Sequence, residues 1–216
     1  APGTGRAPRR TVRPFVFPKL ESVPRTQIDL VRRLEWMLPD GVLTGDMGEA
    51  GKEALHRVFD EDVVIWLDYV HAVPPKALKK LIGDPTFLGV IAPTPHGARG
   101  LVELDLVLAH SIIDLLLGAP GESAVARPLT EIEQGVMSYV LLETFKAFSP
   151  GVVEPGRHRL RLERIAASID EGVALLADEQ SVAVVELKVL IGAAAAGYLR
   201  LHLPASAVHA SVPPVN

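Results

Sequence analysis

The chain of 216 residues contains no cysteine, which excludes disulfides, thiolate nucleophiles and thiolate metal sites and fits a reducing compartment. No apolar run approaches the roughly 20 residues that a membrane-spanning helix needs. The longest candidate, VAVVELKVLIGAAAAGYL, is interrupted by Glu186 and Lys188. The histidines (His56, His71, His96, His110, His158, His202 and His209) form no H-x-H, H-x-x-E-H or H-E-x-x-H spacing, so no zinc site is expected. No serine sits in a G-x-S-x-G elbow. GDMGEAGKE (45–53) fails as a phosphate loop. Gly45 and Gly51 are one residue too far apart, and Glu53 stands where a magnesium-binding hydroxyl belongs. The formal net charge of −4 gives no overall electrostatic footprint for nucleic acid or anionic lipid.

What is present is enough apolar sequence, 48%, for one substantial core or two small ones. With no initiator Met and no signal-peptide pattern, the chain reads as a piece of a longer protein. Residues 1–20 carry Arg6, Arg9, Arg10, Arg13 and Lys19, no acid, and frequent Pro and Gly, the pattern of a flexible basic arm. A folded domain is expected over 21–210, and 211–216, rich in proline, as the start of a linker.

RTQIDLVRRLEWML places Ile28, Val31, Leu34 and Leu38 on one helical face, with Thr26 as cap and Pro39 as stop. A second short helix follows in GKEALHRVF. Strands are expected at 62–70, in TFLGVIAPT and in RGLVELDLVL, the last two joined around Pro95, His96 and Gly97. PPKALKKLIG is a short helix with Pro75 in its first turn. In RGLVELDLVL the residues Val102, Leu104 and Leu106 alternate with Glu103 and Asp105, which predicts a half-buried strand with the acids outward. LVLAHSIIDLLLG then turns helical. Three further strands are read at 157–166, 181–191 and 197–203, with His202 on an outward face, and a short helix closes the domain.

ARGLVELDLVLAHSI (98–112) and AAGYLRLHLPASAVH (195–209) share one plan. Gly100 aligns with Gly197, Val102 with Leu199, Leu104 with Leu201 and Leu106 with Leu203. The echo predicts one α+β domain with an internal pseudo-twofold repeat, its antiparallel or mixed sheet flanked by helices.

RPLTEIEQGVMSYVLLETFKAF (127–148) carries Glu131, Glu133 and Glu143 on one strong helix. Thr130 and Glu133 form an S/T-x-x-E capping box, and Glu131 suits the positive end of the helix dipole. Ile132, Val136, Val140 and Phe148, with Met137, Leu141 and Phe145, make a stripe wide enough to be buried. Two of the three carboxylates thus have structural duties.

LVELDLVLAHSIIDLLLGAPGES and RPLTEIEQGVMSYVLLETFKAF together resemble the middle domain shared by the flagellar switch protein FliM and its type III secretion counterpart SctQ. The resemblance covers about residues 10–210 and implies the CheC-like fold. CheC and CheX phosphatases of that fold present an E-x-x-N pair on their active helix. Here Glu131, Glu133 and Glu143 are followed three residues on by Gln134, Val136 and Lys146, and the only asparagine is Asn216. The resemblance therefore implies a protein without enzymatic activity, cofactor or metal. A divergent phosphatase, with Gln134 in place of the asparagine, is the alternative from another class.

FliM has an acidic EIDALL-like segment that is missing here. Its G-G-x-G loop, which docks the rotor protein FliG, corresponds to Gly118, Ala119, Pro120 and Gly121, where the second glycine is lost. Those departures, and the Arg- and Pro-rich lead VRPFVFPKLESVPRTQIDLVRRL, favour SctQ over the flagellar alternative. What this implies is a scaffold of the cytoplasmic sorting platform, at the cytoplasmic face of the inner-membrane secretion apparatus. Its partners would be SctK-like and SctL-like proteins and its own C-terminal SpoA fragment, within a larger oligomer. Gly118, Ala119, Pro120 and Gly121 are its candidate partner-binding residues, and Thr130 and Glu133 its structural cap.

Overall fold

The computed structural model describes residues 25–38, 43, 44, 46, 48–94, 98–122, 126–148 and 159–210. The basic arm, Pro39, Pro95, His96, Gly97, His158 and the segment 211–216 lie outside the described residues.

Thirteen elements follow one another as α1 (Arg25–Met37), α2 (Gly48–Phe59), β1 (Val63–Val73), α3 (Pro75–Leu81), β2 (Phe87–Thr94), β3 (Gly100–Leu104), α4 (Leu106–Leu116), α5 (Glu131–Ala147), β4 (Arg159–Ile165), α6 (Ile169–Ala174), β5 (Val182–Ile191), β6 (Ala195–Pro204) and α7 (Ala205–Ala210). The six strands form one sheet in the order β1-β5-β6-β3-β2-β4. Every pairing is antiparallel.

That order is a palindrome of the repeat. β1-α3-β2-β3-α4 and β4-α6-β5-β6-α7 are the two copies, and each sends its first strand to the far edge, where it pairs with the other copy. The alignment that sets Gly100 on Gly197 also sets Glu103 on Arg200. Those two residues are direct partners between β3 and β6. The approximate twofold axis therefore passes between a carboxylate and a guanidinium. Leu101↔His202 on one side of the axis is matched by Asp105 and Tyr198 on the other, where the Asp105 N–H donates to the Tyr198 carbonyl at 3.2 Å.

Each face of the sheet carries a core. The larger joins Val102, Leu104, Leu187, Leu199 and Leu201 to residues of α1, α2, α4, α5 and α7. The smaller joins Leu88, Val90, Leu101, Val182 and Val184 to Leu78, Ile82 and Leu176 from α3, α6 and their ends. This second layer corrects three expectations. β3 is buried along its whole length, so Glu103 is fully enclosed rather than outward. His202 is likewise fully buried. Period-two alternation separates two faces of a strand, but it does not say whether the second face is covered.

β3 also ends at Leu104, earlier than RGLVELDLVL suggests. Asp105 is the N-cap of α4, its carboxylate accepting from the Val107 N–H at 3.0 Å. Leu106 is thus a helical residue, and the equivalence with Leu203 breaks there. Thr26 lies inside α1 rather than at its cap, and Ile28 is exposed while Leu34 and Leu38 are buried.

Candidate functional site

α4 ends in a Schellman motif. Gly118 takes φ +79°, its N–H donates to the Leu115 carbonyl at 2.9 Å, and the Ala119 N–H donates to the Asp114 carbonyl at 2.8 Å. Leu117, Gly118, Ala119 and Pro120 are exposed, Leu117 by 80%. Gly121 differs. It is buried, its φ is +73°, and an added Cβ would lie 2.7 Å from the Leu115 Cγ. Only glycine meets both demands at little cost, so Gly121 is a packing residue of the loop. The part of 118–121 that a partner could touch is Gly118, Ala119 and Pro120, extended by Leu117.

The loop leads to α5 through Arg127. Thr130 caps the helix: its Oγ1 accepts from the Glu133 N–H at 3.4 Å, and Glu133 Oε2 accepts from the Thr130 N–H at 2.7 Å. The Arg127 guanidinium donates to both Glu133 oxygens, at 2.8 and 2.6 Å. Arg127 and the Thr130 amide hold the Glu133 carboxyl well below the usual range. Thr130→Ala should lower stability by about 1 kcal/mol, read as a shift in urea midpoint. The Glu133 bond to the Thr130 amide survives that change, which keeps the loss from being larger.

Beyond the cap, α5 is apolar on two sides. Met137, Val140, Leu141, Phe145 and Phe148 enter the core. Ile132 does not: it is 82% exposed. Stepping by four residues drifts about 40° around a helix at each step, so 132, 136 and 140 slide across the surface toward the core instead of marking one buried line. Exposed Ile132, Gly135, Tyr139, Leu142 and Lys146 recur at alternating steps of three and four, the spacing of a seam for another helix. No element among the described residues covers this outward face, which is mostly apolar.

The same helix shows how its polar groups are committed. Gln134 Nε2 donates to the Leu129 carbonyl at 3.1 Å, a local tie rather than an outward-aimed amide. Gln134 also borders a cleft of about 480 Å³ between α3, the start of β2 and the start of α6. Lys79 and Asp170 at that cleft pair with each other at 2.5 Å. Among the described residues, no group of three His, Asp or Glu side chains could hold a metal ion. Lys52, in the segment that imitates a phosphate loop, sits inside α2 and pairs with Glu49 and Asp46.

Sequence reasoning misses a polar network on the α3 side of the sheet. Arg200 reaches Glu186 through Nε and Glu103 through Nη1, and also donates to the Leu81 carbonyl at 3.2 Å. Glu103 further accepts from the Gly83 N–H at 2.9 Å and pairs with His202 Nε2 at 2.9 Å. Lys188 completes the set on Glu186 at 2.8 Å. Burial pushes the Glu186 carboxyl up, but hydrogen bonds from Lys188, Arg200 and Tyr69 outweigh it and bring it down to about 2. Burial likewise disfavours the Arg200 charge, and Glu186 and Glu103 more than offset it. Both carboxylates are paired within the fold, while the buried Nδ1 of His202 has no hydrogen-bond partner among the described residues. The network fixes the two halves to each other across the pseudo-twofold axis.

A six-stranded antiparallel sheet with a core on each face, a strand-exchanging internal repeat and an exposed apolar helix face defines an α+β domain of internal pseudo-twofold symmetry. The profile of the family described as "Flagellar motor switch protein FliM" matches residues 47–213. The chain belongs to the FliM family. It is 30% identical over 88 residues to the flagellar motor switch protein FliM of Borreliella burgdorferi, an alignment covering 40% of this chain and 22% of that protein. Three solved structures share the fold. A chain of the FliG–FliM complex from H. pylori superposes with a TM-score of 0.65 at 21% identity, over 87% of this chain and 100% of that one. FliY from Thermotoga maritima gives 0.68 at 17%, over 89% and 96%. The FliM middle domain from H. pylori gives 0.61 at 19%, over 88% and 98%.

Proposed function

We propose that this chain is a non-enzymatic docking scaffold of a cytoplasmic ring, and specifically of the sorting platform of a bacterial type III secretion system. The observation that carries the docking reading is the exposed apolar surface at Leu117, Ala119 and Pro120, held on a rigid Schellman turn, with the outward face of α5 next in sequence. Membership of the FliM family, and a fold shared with a FliM crystallised with FliG, support a ring subunit that binds other proteins. The absence of an asparagine after Glu131, and the tie of Gln134 to Leu129, support the lack of phosphatase chemistry.

The secretion assignment rests on the resemblance to SctQ and on Ala119 standing where the flagellar loop has its second glycine. It names SctK-like and SctL-like proteins as partners. The flagellar reading is supported by the FliM family match and by the similarity to the FliM of Borreliella burgdorferi, and it names FliG as the partner.

Leu117→Asp with Pro120→Asp is the test, and Gly121 is left in place because its backbone and packing need glycine. Stability should stay within about 0.5 kcal/mol, as for exposed sites generally. Affinity for an SctK-like partner should fall at least tenfold, about 1.4 kcal/mol, by titration calorimetry. Undiminished SctK binding by the folded variant would exclude the loop. Parent protein that binds FliG and not SctK would decide for the flagellar motor.

A further inference from the structure

The two halves of the repeat treat the α3/α6 face of the sheet differently. Under α6, the row Leu88, Val90 and Leu101 is buried, and Gly172 lies so close that an added Cβ would meet the Leu88 Cδ2 at 2.6 Å. The matching row in the other half is Glu186, Lys188 and Tyr198, and α3 covers only its inner end, through the Leu81 carbonyl and Gly83. Beyond that end lies an open corner. Val64 is 50% exposed and Trp66 42%, side by side with Leu190 and Lys188 on β5. β1 is also the edge strand of the sheet, 11 residues long, with no partner strand on its outer side among the described residues. A long edge bearing exposed apolar side chains is a surface that folded proteins cover.

The rim of this corner is acidic. Asp60, Glu61 and Asp62 precede β1 and are exposed, the Asp62 side chain by 99%.

We propose that the open corner is covered by this chain's own N-terminal segment, with Phe15, Val16 and Phe17 set against Val64 and Trp66 and with Arg9, Arg10 and Arg13 facing Asp60, Glu61 and Asp62. Three observations select this occupant. Residues 1–20 carry five cations and no acid, the complement of the rim. Their one run of large apolar residues, Phe15–Phe17, is bounded by Pro14 and Pro18, and proline is accepted at the ends of an added edge strand where it would break a central one. Finally, the segment enters α1 at Arg25, and α1 packs against β1. The residues between Phe17 and Arg25 span about 25 Å when extended, enough to round the sheet edge from one face to the other.

Trp66 reports the contact. In a Trp36→Phe background it is the only tryptophan. Iodide should quench it at least twofold less in the full chain than in a chain lacking residues 1–20. Phe15→Ser with Phe17→Ser should behave like the truncation. A synthetic peptide of residues 1–24 should restore protection to the truncated chain saturably. That restoration should weaken at least tenfold with Asp60→Asn, Glu61→Gln and Asp62→Asn. Amide exchange over 63–73 in the native sequence, slower with the segment than without it, gives the same comparison without touching Trp36. Equal quenching and equal exchange with and without residues 1–20 would overturn the proposal. So would protection that grows with protein concentration in the truncated chain, which would give the corner to a second copy.

Discussion

Arg200→Ala should destabilise the fold by about 3–5 kcal/mol at pH 7, because it strands the buried carboxylates of Glu103 and Glu186 without their shared cation. The loss is not that of a surface ion pair. Glu103 is fully enclosed and keeps only the Gly83 amide and His202, while Glu186 keeps Lys188 and Tyr69. The pH dependence distinguishes this cause from simple loss of packing. In the parent the Glu186 carboxyl titrates near 2, below its ordinary value of 4.5. Its contribution to stability is therefore complete above about pH 4.5 and lost as the pH falls toward 2. In the variant one source of that depression is gone, so protonation relieves the stranded charge at higher pH. The gap between parent and variant in urea midpoint should narrow as pH is lowered from 7 to 3. A gap that is constant with pH would assign the loss to packing of the Arg200 stem and its contact with the Tyr198 ring, 4.1 Å away.

The network also marks where sequence reasoning stops. Strands and their spacing were legible because alternation reports the pleat, and the Gly100–Gly197 alignment went further than its evident content. It placed Glu103 on Arg200, the two residues nearest the axis. What it did not carry was the covering of the second face by α3 and α6. α3 was legible as a helix from Pro75, but not which face of the sheet it covers, and α6, six residues long, leaves a weak periodic signal. For α6 a signal was nevertheless there. Ser168 and Glu171 repeat the S-x-x-E pattern of α5, with the Ser168 hydroxyl accepting from the Glu171 N–H at 3.1 Å and Glu171 accepting from the Ala167 N–H at 2.6 Å. Had α6 been read, a covered second face and a buried Glu103 would have followed. The candidate loop was legible at Gly118, whose place after IIDLLL announces a left-handed cap. Gly121 was not, since its constraint is a tertiary contact with Leu115.

α5 supplies the second large effect. Phe145→Ala should cost about 3–5 kcal/mol, the range for removing a buried aromatic ring. Phe145 lines a small apolar gap with Phe148, Leu160, Leu187, Leu199 and Leu201, and the hydroxyl of Thr144 beside it is tied to the Val140 carbonyl, so the deletion enlarges a dry space. Xenon or benzene should then raise the melting temperature of the variant and leave the parent unchanged, because only the variant offers a dry cavity of the right size. Ile132→Ser, thirteen residues earlier on the same helix, should move stability by no more than about 0.5 kcal/mol, since its side chain already faces water. If Ile132 belongs to the docking face, that nearly silent change should instead weaken partner binding. A helix whose inward residues govern stability and whose outward residues govern association is built for assembly, and a destabilising Ile132→Ser with unaltered partner affinity would refute that division.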